Sequence, residues 1–244
     1  YIGDGTSHGK PEKRKGLKEL WQEFNKTFIK AYEDSQLFES QLQVEAFLRQ
    51  NTLDLSKKFE DKIDRARAIY DWIALNITYD IKAAKSNNTA KNSPADVLLS
   101  RKAVGIGFAG LFQDMCSAAD IRCLTVDGFV KNNTEQIDEK GAEINHSWAV
   151  VQLGQSPDTW YYVDPAWGSG YADAEMKVFT RSFTDAYFFT DKPIFNLQHY
   201  PDNEAWKLGG APKNKKEFYS LPVIKVAGPE LGMKRFSPND GHFK

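Results

Sequence analysis

"HSWAVVQLGQSPDTWYYVDPAWG", residues 146–168, reads as two strands around a turn. Residues 146–153 and 159–164 are dense in β-branched and aromatic side chains, and Gly154-Gln155-Ser156-Pro157-Asp158 between them is a turn signal. With the loop centred near Ser156, Asp164 falls opposite Trp148, and His146 lies two residues from Trp148 on the same face. His146 and Asp164 then form a diagonal pair, with backbones roughly 7–8 Å apart and side chains able to meet. A carboxylate on one imidazole nitrogen fixes the tautomer and leaves the other nitrogen as a base. From spacing alone a pair of merely solvated strand ends fits equally well, and a register slip of one residue would separate the two.

Working outward, the upstream half has the period of helices. Leu17, Leu20, Trp21, Phe24, Phe28 and Ala31 mark a first amphipathic helix, after a flexible tail over residues 1–16. A second runs from about Ser56, with Ile63, Ala66, Tyr70, Ile73 and Ile77 on one face. Ser93-Pro94 opens a short third, "ADVLLSRK", because proline is favoured at the first helical position. Phe108, Leu111, Phe112, Met115, Cys116 and Ala119 mark a strongly apolar fourth. Strands are expected at "RCLTVDGFV" (122–130), at "DAYFFT" (185–190) and across "FYSLPVIKV" (218–226). Helices first and strands after argue for an α+β fold, helices packed on an antiparallel sheet.

Bulk properties narrow the function classes. The 244 residues suffice for a core without metal or disulfide support. A formal net charge of -1 points to neither a nucleic-acid nor a membrane-surface partner, and no apolar run reaches the ~20 residues of a membrane helix. Four histidines and two cysteines lie too scattered for a zinc constellation or a disulfide framework, so no metal is expected. The start without methionine and the linker-like first residues lead to the expectation of an exported protein.

Gly105, Gly107 and Gly110 in "AVGIGFAGLF" (103–112) have the G-x-G-x-x-G spacing of a dinucleotide turn, and Asp127 lies near the distance of a ribose-binding acid. That fingerprint needs a buried strand before it and a second βαβ unit after it. Here a proline-initiated helix precedes it and a hairpin follows, so no cofactor is expected.

The order of "VGIGF" (104–108), "NHSWAVV" (145–151) and "WYYVDPAWG" (160–168) resembles the transglutaminase-like superfamily. Its pattern is V-C-x-G-[YF], then H-[AS]-W, then V-D-P-x-W-G. "IYDWIALNITYD" (69–80) and "FNLQHYPDNEAWKL" (195–208) are similar to the branch holding the kyphoscoliosis peptidase and a fungal cytokinesis protein. The resemblance covers about residues 40–225 and implies a papain-like cysteine-protease/transglutaminase core. The domain, with its N-terminal helical part, is expected over 17–200, and the Pro-, Lys-, Asn- and Gly-containing extension over 201–244 could begin a further domain. His146 takes the base position, Asp164 the orienting position, and Gly105 the position of the nucleophile.

Glycine has no atom to attack with. Cys116 stands roughly 16 Å further along the helix axis, at about 1.5 Å per residue, and in the apolar stripe; Cys123 opens a strand. The expectation is therefore a pseudoenzyme whose cleft binds a peptide or protein ligand, with Phe108, Trp148 and Trp167 lining it. Two alternatives stand beside it: an active Cys-His-Asp protease or transamidase whose cysteine was exchanged for glycine in this sequence, and a structural module of a larger surface protein.

Overall fold

A computed structural model describes residues 61–132, 143–156 and 159–224. The tail, the helix over 17–31 and everything past residue 224 fall outside them.

Helix α1 (Lys62–Asn76) starts where Asp61 accepts the Ile63 N–H at 2.7 Å, and is buried almost all round from Ala66 to Ala74. Such a helix is central, not peripheral. Its one buried cation, Arg67, is matched by Asp71 at 2.7 Å and Asp185 at 3.4 Å. Strand β1 (Thr78–Tyr79) and short helix α2 (Ile81–Lys85) follow. Helix α3 (Pro94–Ser100) is capped by Ser93, which accepts the Asp96 N–H. It ends two residues before the expected limit. Arg101 turns left-handed (φ 56°), and Lys102–Ala103 become β2, paired in parallel with β1.

Helix α4 (Gly105–Ala118) follows at once. Phe108, Leu111, Phe112, Met115, Cys116 and Ala119 are all fully buried, the stripe expected from the sequence. The helix lies against β3 (Arg122–Val130) and β4 (His146–Gln152). With β5 (Trp160–Val163) and β8 (His199–Pro201) these form an antiparallel sheet of order β5-β4-β3-β8. The period of two divides β4 between two cores. Ala149 and Val151 face the helices, while Trp148 and Val150 join Tyr162 and Phe195 on the other face. Helices α1, α3 and α4 on one face of an antiparallel sheet make the α+β architecture.

Between β5 and β8 lie α5 (Pro165–Ser169), the hairpin β6 (Gly170–Ala172) and β7 (Phe179–Arg181), and α6 (Lys192–Phe195). The strand expected at 185–190 does not form. Phe188 makes only an isolated bridge to Val163, Phe189 is left-handed (φ 51°), and Thr190 Oγ1 donates back to the Ala186 carbonyl. The aromatic density serves packing instead: Phe188 meets Tyr70 and Phe189 meets Tyr161 at centroid distances of 5.3 and 5.2 Å.

The strand expected from residue 218 is instead the end of helix α7 (Lys215–Ser220). Asn214 caps it by accepting the Glu217 N–H, and Pro222 follows its end. Phe218 and Tyr219 pack on Phe129 and Tyr200. The buried Lys131 ammonium donates to the Phe218 and Leu221 carbonyls at the C-terminal end of α7. Among the described residues no helix is long and apolar enough to cross a membrane.

Candidate functional site

The β4–β5 register is Ala149 opposite Val163, which puts Trp148 opposite position 164, as the hairpin spacing implied. His146 and Asp164 meet: Nε2 lies 2.8 Å from Oδ2. Both are buried, at 8% and 0% exposure. Asp164 is also the N-cap of α5, where its Oδ1 accepts the Trp167 N–H at 3.0 Å, so the V-D-P-x-W segment positions the carboxylate through the helix it starts.

Sequence reasoning missed the third member. His199, the first residue of β8, places its Nε2 3.0 Å from the same Oδ2. Its ring stacks on Phe195 at 3.8 Å, with Nδ1 3.3 Å from the Phe195 carbonyl. In the sequence it lies within "FNLQHYPDNEAWKL", where no spacing marks it as a partner of Asp164. The register of β8 on β3, Val130 opposite His199, is what carries it to the site.

A carboxylate only accepts, so both imidazoles donate from Nε2, and in its neutral form the His146 ring keeps a lone pair on Nδ1. Burial alone would push Asp164 up, but His146 and His199 outweigh it and hold the carboxyl well below the usual range. Burial pushes His199 below the ordinary histidine value, with Asp164 opposing. His146, Asp164 and His199 also offer ligand atoms within 4.8 Å of one another, a donor set suited to zinc, but here both Nε2–H groups are engaged by the carboxylate.

The free nitrogen faces Gly105. A Cβ built there would sit 2.7 Å from His146 Nδ1, 3.0 Å from its Cε1 and 3.1 Å from the Ser147 nitrogen. Glycine thus lets the imidazole close onto the first turn of α4, where helix N–H groups point outward. No thiol or hydroxyl sits on residues 101–110. The Ser147 hydroxyl, on the neighbouring residue, is bound to Asp127 at 2.6 Å, which also accounts for the acid that completed the dinucleotide spacing. Cys116 and Cys123 are both buried and free.

Of the three aromatics expected to line a cleft, Phe108 and Trp148 are fully buried and offer no surface to a ligand. Each packs in a separate core, on opposite faces of the sheet. Trp167 is half-buried and stands 5.7 Å from the His146 ring and 4.5 Å from that of His199, centroid to centroid.

Among curated proteins, the kyphoscoliosis peptidases of Mus musculus and Homo sapiens are each 32% identical over 244 residues, covering 96% of this chain and 36% of their own. The Lim and transglutaminase domain protein ltd-1 of Caenorhabditis elegans is 26% identical over 185 residues, 70% of this chain and 24% of its own. The chain therefore spans little more than a third of the two peptidases and about a quarter of ltd-1. Residues 15–165 match the model of the transglutaminase-like superfamily, and with the helices, the curled antiparallel sheet and the paired His146 and Asp164 in that order, the chain belongs to that superfamily and has its papain-like α+β fold.

Proposed function

We propose that this domain is a non-catalytic transglutaminase-like module whose cleft, at the start of α4, binds a peptide or protein ligand. The observation that carries the reading is at Gly105. A site that attacks acyl groups needs a side-chain nucleophile beside its base, and here the base nitrogen lies against a residue with no side chain. Loss of a triad nucleophile costs about a millionfold in turnover.

The remaining parts suit binding. Helix N–H groups can receive a carbonyl or carboxylate, His146 Nδ1 can accept a hydrogen bond, and Trp167 supplies a partly exposed aromatic face. A peptide is the ligand class because two relatives carry the name of a peptidase.

The test has two arms. The chain and its Gly105→Cys variant are assayed for casein hydrolysis and for amine incorporation. The unaltered chain should give no turnover, and turnover in it equal to that of the variant would end the reading. Casein-derived peptides are then titrated in while the ring signals of the four histidines are followed by NMR. The His146 signal, assigned with His146→Gln, should move; an unmoved signal at millimolar peptide would remove the binding half of the proposal.

A further inference from the structure

Beside the first turn of α4 lies a basic groove built from two adjoining cavities. One, of about 170 Å³, is lined by Asp80, Lys82, Lys91, Asn92, Lys102 and Ala103 among others. The other, of about 540 Å³, is lined by Ile81, Lys82, Lys85 and Met176 among others. They adjoin at Lys82 and Ser86, which line both.

The groove is tied to the candidate site through the backbone. Asn92 Oδ1 accepts the N–H of Val104, the residue before Gly105, at 3.0 Å. The Ala103 carbonyl accepts the Asp80 N–H at 2.8 Å.

Among the described residues its charge has no counterpart. Lys82, Lys85, Lys91 and Lys102 are all exposed, and none forms an ion pair with a carboxylate among the described residues. The one carboxylate lining the smaller cavity, Asp80, caps α2, where it accepts the Ala83 N–H, and its single charge is outnumbered there by Lys82, Lys91 and Lys102. Four lysines around the two adjoining cavities, with no ion pair among the described residues and only Asp80 between them, make a local positive field that the chain's formal net charge of -1 hides.

We propose that this groove holds an acidic peptide segment, its carboxylates against Lys82, Lys91 and Lys102 and one apolar side chain in the larger cavity against Ile81 and Met176. The proposal rests on the reading of the neighbouring cleft as a peptide site and names the kind of peptide. A peptide fits better than a nucleic acid because, among the described residues, no aromatic side chain lines either cavity for bases to stack on. The apolar floor of the larger cavity asks for an apolar side chain.

The probe is a fluorescein-labelled peptide with a leucine between two runs of glutamate, followed by anisotropy. Binding should weaken steeply with salt. The triple variant Lys82→Glu, Lys91→Glu, Lys102→Glu should raise Kd at least about tenfold, since each exposed pair contributes little and three are reversed. Replacing the probe's leucine by glycine should raise Kd several-fold. These lysines are exposed, so an unchanged melting curve verifies that the triple variant folds.

Equal affinity in the triple variant, or tighter binding of an oligothymidylate than of the acidic probe, overturns the proposal. Trp167→Ala separates the two readings. If the lysine variant loses the probe and Trp167→Ala keeps it, the groove stands, and the cleft is decided separately by the His146 titration. If Trp167→Ala loses it and the lysine variant does not, the groove falls.

Discussion

The two ends of α4 hold complementary halves of a reactive-thiol site, placed apart. At the N-terminus are the features that lower a thiol pKa: outward N–H groups, the positive end of the helix dipole, and the His146 nitrogen held by Asp164. The residue there is glycine. At the far end are the sulfurs. Cys116 is fully buried in the main apolar core, and that burial, reinforced by the hydrogen bond to Cys123, pushes its thiol well above the ordinary value. Environment sets the chemistry of a cysteine, and here activation and sulfur do not coincide.

The largest effect expected comes from bringing them together. Gly105→Cys should alkylate with iodoacetamide at pH 7 about a hundredfold faster than Cys116 or Cys123 in the folded chain, and His146→Ala added to it should abolish the gain. The new Cβ meets the His146 ring at 2.7 Å, so the imidazole must move back, and the variant should also unfold at lower urea than the parent. A Gly105→Cys thiol no faster than free cysteine would mean that the retreat of His146 breaks its bond to Asp164. That would reduce the contrast between the helix ends to one of burial.

Second in size is the carboxylate. Asp164→Asn keeps the shape but turns an amide donor toward one of three donors, the His146 and His199 rings and the Trp167 N–H. It should cost about 2–4 kcal/mol in urea unfolding near neutral pH. The pH dependence has a definite sign. Asp164 titrates lower folded than unfolded, so its contribution is present above the unfolded value near ~4 and lost as pH falls through the folded one. His199 is also lowered by burial, so its contribution is full above ~6.5 and falls away below it. Both slopes run the same way: the parent should lose stability on acidification from pH 7. The gap between parent and Asp164→Asn should close below pH ~4, and His199→Gln should flatten the limb that begins near pH ~6.5. A gap that widens in acid would show that the carboxyl is not held ionised by the two rings.

What could be read in the sequence follows how local each signal was. The β4–β5 register came from a short loop between alternating strands, and it brought His146 to Asp164 because a diagonal pair depends on that register alone. The stripe of α4 was legible because its period of 3.6 extends over the whole helix. His199 was not legible, since its place depends on a strand paired across more than sixty intervening residues, Val130 with His199. The burial of Phe108 and Trp148 was hidden for a related reason: periodicity gives the face of an element, not what covers it. The misread strands at 185–190 and 218–226 were aromatic-rich stretches in which side-chain packing and an asparagine cap decide the backbone.

The smallest effects concern the other two glycines of the G-x-G-x-x-G spacing, and they divide the first turn of α4 from the helix beyond it. At Gly107 a Cβ would run into Asn92 Oδ1 and lie 2.8 Å from the Ala103 Cβ, and Asn92 is what holds the Val104 N–H. Gly107→Ala should therefore lose about 1–2 kcal/mol despite the better helix former. At Gly110, apart from the helix's own adjoining residues, nothing among the described residues lies within 4 Å of the added carbon, and the residue sits mid-helix at intermediate exposure. Gly110→Ala should gain about 0.5–1 kcal/mol from reduced freedom of the unfolded chain. Urea midpoints of the two variants, measured side by side, should move in opposite directions. A matching shift would mean that the tight approach of α3 and β2 to the first turn is no constraint, and that Gly105 is the only one of the three glycines the site requires.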